Sequence, residues 1–160
     1  MRAILIVLML TVATQAGAEC GRLCDSDWWK TANPEDVQAQ LDAGANVKAS
    51  TGEGFTPLHL ALFKSASSNV QLMNVEILLA AGADLGARAS KSANNWTPLH
   101  TAAMFSEVES IKMLLAAGAD VSAKDGAGFT ALHWAGLTKK IENINALIDA
   151  GANINDLKYE

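Results

Sequence analysis

The chain of 160 residues is poor in several residue types, with two cysteines, three histidines and three prolines. Two cysteines cannot hold a zinc ion alone, since two further ligands are missing. Basic side chains are outnumbered, 12 Lys and Arg against 17 Asp and Glu, giving a formal charge of -5. That balance argues against nucleic acid or anionic lipid as the main partner. No apolar run beyond residue 18 approaches a membrane-spanning length. A Gly-rich phosphate loop, a His-Glu-x-x-His helix and a Gly-x-Ser-x-Gly elbow are all missing. The residues thus assemble no catalytic constellation and imply no cofactor or metal, and the expectation is a protein that is not an enzyme.

The first 18 residues differ from the rest. Arg2 is their only charge, Ala3 to Ala13 is almost wholly apolar, and Ala16-Gly17-Ala18 fits a small-x-small cleavage site. This pattern reads as a secretory signal peptide, too short to span a membrane. Cleavage near Ala18 leaves 142 residues from Glu19, with 11 basic and 17 acidic side chains. Cys20 and Cys24 lie just past the cut. Outside the cytosol an even pair points to a disulfide. Free thiols for redox use and a metal or lipid site are the alternatives, and Glu19 stands where lipid attachment needs a small residue.

The remainder repeats. Thr56-Pro57-Leu58-His59-Leu60-Ala61 returns as Thr97 to Ala102 and, without the proline, as Thr130 to Ala135. Leu78 to Asp84 returns as Leu114 to Asp120 and, relaxed, as Leu147 to Asn153. Thr97 and Thr130 are 33 residues apart, as are Gly118 and Gly151. A period of this size means stacked units rather than one wound core. Leu72, Val75, Leu78 and Leu79 share a helical face, as do Val108, Ile111, Leu114 and Leu115, and then Ile141, Ile144, Leu147 and Ile148. One helix cannot bury such a face, so neighbours must. Thr56 and Thr97 are expected caps before a proline. Asn33-Pro34-Glu35-Asp36 and Ser106-Glu107-Val108-Glu109 read as further helix starts, the latter as a capping box. Gly44, Gly82, Gly118 and Gly151 stand where a left-handed residue ends a helix. Asp84 and Asp120 follow as turn formers.

On these residues the chain resembles the ankyrin repeat family, in particular small exported bacterial members, over roughly residues 27 to 157. The resemblance implies an all-α fold, an α-solenoid of about four repeats, each a helix–loop–helix with a projecting hairpin finger. The expected division is a signal peptide (1–18), a short tail with the cysteine pair (19–26) and a repeat domain (27–160). The repeats run approximately 27–50, 51–90, 91–124 and 125–157. The first lacks the Thr-Pro-Leu-His phrase and reads as a degenerate cap, with Trp28 and Trp29 covering the core and Gln40 where later repeats have leucine. Asn143, Asn145 and Asp149 soften the last one. The second repeat is eight residues longer between its Thr and the next. The excess falls around Lys64 to Val70 and Ser90 to Asn94, both small and polar, as surface loops are.

The resemblance also assigns roles. It makes His59, His100 and His133 structural, bonding the Thr hydroxyl and neighbouring loops; zinc binding or base catalysis is the competing use of three histidines. It places Phe55, Trp96 and Phe129 at finger bases facing a concave surface, with Phe63, Met104, Phe105 and Leu137 at the ends of first helices beside it. These seven form the expected partner-binding stripe, since interfaces favour aromatic anchors; packing of finger on helix is the alternative use. Glu53, Glu107 and Asp125 would give it an acidic margin suited to a basic partner. The expected partner is another protein, without nucleic acid or membrane insertion after signal cleavage, and the chain is expected to be monomeric. The implied function is an exported protein-binding module in the periplasm or secreted. The alternative is a periplasmic redox, metal-handling or stress-protection protein using Cys20 and Cys24.

Overall fold

The first helices start directly after Thr56, Thr97 and Thr130, and the second helices stop just before Gly44, Gly82, Gly118 and Gly151. The computed structural model describes residues 20–64, 67–89 and 94–157. The signal peptide and most of the second insert lie outside these residues. Seven α-helices occur among them: α1 (Pro34–Asp42), α2 (Pro57–Lys64), α3 (Ser68–Ala80), α4 (Pro98–Phe105), α5 (Val108–Ala116), α6 (Ala131–Thr138) and α7 (Ile141–Asp149). Helices α2, α4 and α6 pack side by side in one row, and α1, α3, α5 and α7 form a second row behind them. This is an all-α repeat solenoid. Among the described residues the fingers are turns, with a β-bridge at Ala89 and Trp96.

Asn33 caps α1, accepting from the Asp36 N–H at 2.9 Å while the Asp36 carboxylate accepts from the Asn33 N–H at 3.2 Å. Gly82 and Gly118, at φ +82° and +97°, end α3 and α5 in the left-handed region that favours glycine. The apolar face of the second row is buried through Val75, Leu78, Ile111, Leu114 and Leu147. In α7 the same stripe opens: Ile141 is 59% exposed.

Three expectations need correction. Ser106 does not cap α5; its hydroxyl donates 3.0 Å to the Leu62 carbonyl of the preceding repeat. The insert around Lys64 to Val70 is not simply a loop. Part of it lengthens α3 to 13 residues, against nine in α5 and α7. That extension presents Gln71, which donates to the Ala61 and Leu62 carbonyls at 3.3 and 2.9 Å. Asn143 is not a softened surface position; it is buried and donates 3.1 Å to the Ser106 carbonyl, as buried Asn74 donates 3.2 Å to Ala32. The short segment 20–26 packs into the end of the stack. Leu23 is fully buried, and Trp29, also buried, donates its indole N–H to the Leu23 carbonyl at 2.9 Å. The first repeat lacks a first helix, so 3-10 turns at Gly21–Cys24 and Trp28–Lys30 fill its place. Cys20 and Cys24 are joined in a disulfide.

Candidate functional site

The site is built from the residue before each Thr and from the imidazole three residues after it. In each phrase the Thr backbone N–H points at the histidine Nδ1, at 3.3 Å for Thr56–His59 and 3.1 Å for Thr97–His100 and Thr130–His133. An amide nitrogen can only donate, so Nδ1 accepts and Nε2 carries the proton. Nε2 then donates into the next repeat: His59 to the Trp96 carbonyl at 3.1 Å, His100 to that of Phe129 at 3.0 Å. The same two carbonyls accept from their own fingers, from the Ala89 and Asp125 N–H groups. Trp96 and Phe129 are thus held from two directions. Burial lowers the His59 pKa from 6.5 to about 4, against the opposing hydrogen bond to Trp96. Burial also lowers that of His100. Among the described residues no three His, Cys, Asp or Glu side chains converge as metal ligands would.

Above this scaffold lies an open-sided groove of about 400 Å³. Five of the seven stripe residues line it: Phe55, Phe63, Trp96, Phe105 and Phe129. Met104 and Leu137 do not. Met104 is half-buried, and Leu137 is exposed away from the lining. The rings touch across repeats, with centroid separations of 4.5 Å for Phe63–Phe105 and 4.6 Å for Trp96–Trp134. Phe63 and Phe105 stay 40% and 41% exposed. None of the described residues offers the buried Trp96 indole nitrogen a hydrogen-bond partner.

Trp134 was missed by sequence reasoning. It stands at the variable position of Thr130-x-Leu-His-x-Ala, where the other copies carry Leu60 and Thr101, so only its size marked it. Its ring also lies 5.9 Å from that of Phe129. Its indole N–H donates to Asp125 Oδ2 at 3.1 Å. Asp125 Oδ1 accepts from the Ala127 and Phe129 N–H groups, each at 2.9 Å. Asp125 therefore shapes the finger and orients two rings. It is 7% exposed and leaves the acidic margin expected of it. Glu107 is exposed but pairs with Lys140 at 3.3 Å. In the second repeat Thr51 Oγ1 takes the corresponding finger role, accepting from the Phe55 N–H at 3.1 Å.

The family model for ankyrin repeats (three copies) matches residues 29–125 and, in a second overlapping placement, 63–158. The chain belongs to the ankyrin repeat family, whose members are generally protein–protein interaction modules and typically not enzymes. Among curated proteins, the tyrosine-protein kinase HTK16 of Hydra vulgaris is 33% identical over 85 residues, 53% of this chain. The match spans 10% of that kinase. Among the described residues no helix is long and apolar enough to cross a membrane.

Proposed function

We propose that this chain is an exported protein-binding module that holds a partner protein against the face made by its finger turns and first helices, with no chemistry of its own. The observation that carries the reading is the groove: six aromatic rings from three repeats meet there, and two of them remain well exposed. Exposed aromatics cost solvation and serve as anchors in interfaces. Export is supported by the apolar leader ending at Ala16-Gly17-Ala18 and by the Cys20–Cys24 disulfide, a bond typical of oxidising compartments.

The test uses the mature chain as bait in an extract of the source organism. A partner retained by the natural sequence and lost with Phe63→Ser/Phe105→Ser is expected, since both side chains protrude and their replacement leaves the buried core intact. Equal retention by both baits rejects the groove as the binding site. Export is checked separately by sequencing the N-terminus of the protein made in its own cell. Glu19 is expected, and an intact leader with free thiols rejects export.

A further inference from the structure

The groove has a charge character that its lining conceals. None of its lining residues is charged, and only Asn94 and Thr101 are polar. Yet a buried carboxylate, Asp125, sits one ring behind it. Asp125 is held by two backbone N–H groups and the Trp134 indole N–H. Among the described residues no Lys or Arg pairs with it. The Arg88 guanidinium lies nearby, donating to the adjacent Lys124 carbonyl at 2.6 Å, but an indole donating to a carboxylate still carries more electron density on its faces. Trp96, Phe105 and Phe129 add further faces, with ring centroids 6.1 Å apart for Trp96–Phe105. Glu53 stands at the margin beside Phe55 and Phe63. The whole chain carries a formal charge of -5.

Such a site attracts a cation through the ring quadrupoles. It offers few acceptors, however, so an ammonium or guanidinium would lose its hydrogen bonds to water without replacement. A cation with no N–H groups avoids that cost. The volume of about 400 Å³ falls at the small end of the ~300–1,000 Å³ range of small-molecule sites. Glu53 at the margin and the net negative charge of the chain disfavour a phosphate attached to the same ligand. We propose that the groove binds the trimethylammonium group of a small soluble compound of choline size by cation–π contact, chiefly with Trp96, Phe105 and Trp134.

The inference shares the groove with the protein-binding reading but does not rest on it, because its test needs no partner protein. The full chain is titrated with choline and with 3,3-dimethylbutan-1-ol, its neutral isostere, at constant ionic strength, following tryptophan emission and the indole N–H resonances. Choline is expected to bind at least about 5-fold more tightly than the isostere. In Phe63→Leu/Phe105→Leu, which keeps apolar bulk but removes two rings, that preference is expected to shrink several-fold while circular dichroism is unchanged. Equal affinities, or no response to either compound, overturn the proposal. So does a response to phosphatidylcholine vesicles without one to free choline, which would make a membrane headgroup the ligand. If the double variant is misfolded, Phe105→Leu alone gives the same reading.

Discussion

At the residue scale, the buried imidazoles of His59 and His100 work only when neutral. Nδ1 must accept from the Thr N–H, and protonation would set two donors against each other. His59 has its pKa lowered from 6.5 to about 4 by burial. The unfolded chain therefore takes up a proton first as pH falls. The contribution is fully present above pH 6.5 and is lost between 6.5 and about 4, on the order of 3 kcal/mol for this one residue. His100 acts in the same direction. Melting temperature is expected to fall steadily through that window. In His59→Gln, which keeps a capping acceptor but cannot titrate there, the protein should be less stable at neutral pH yet lose less between pH 6.5 and 5. An unchanged slope in the variant would place the pH sensitivity elsewhere.

At the element scale, a helix of this solenoid is worth what its neighbours cover. Leu114 of α5 is fully buried between rows, whereas Leu137 at the end of α6 is 56% exposed. Leu114→Ala is expected to cost roughly 2–5 kcal/mol, and Leu137→Ala less than about 0.5 kcal/mol. Urea unfolding of both variants decides this, and comparable losses would contradict the packing. The helix faces were readable from the 33-residue period because amphipathicity is a local property of one helix. The extra turn of α3 was not. A small polar run such as Ser67-Ser68-Asn69 suits a loop or a helix start equally well, and the choice depends on Gln71 finding the Ala61 and Leu62 carbonyls.

At the scale of the whole molecule, the helices of each repeat pack on those of the adjacent repeats, so stability should be graded along the stack. His100 ties the third repeat to the fourth through the Phe129 carbonyl, and Asn143 and Lys140 tie them through the Ser106 carbonyl. His100→Ala is expected to accelerate hydrogen exchange in α6 and α7 well before α2 and α3. Uniform acceleration would mean that the chain opens as one unit. The order of helices, the cap of α1, the terminal glycines and the buried apolar stripe were determined by the sequence alone, because each rests on residues within one turn or one helix of each other. Only the tertiary structure decided that Ser106 bonds Leu62 rather than its own helix, that Asp125 turns inward to hold Trp134, that Met104 and Leu137 fall outside the groove, and that the cysteine-bearing segment closes the first repeat. These outcomes depend on where one repeat lies against the next. Polar side chains carry no periodic signal saying which carbonyl they will reach; burial forces each to find a partner, and stacking determines which one is near.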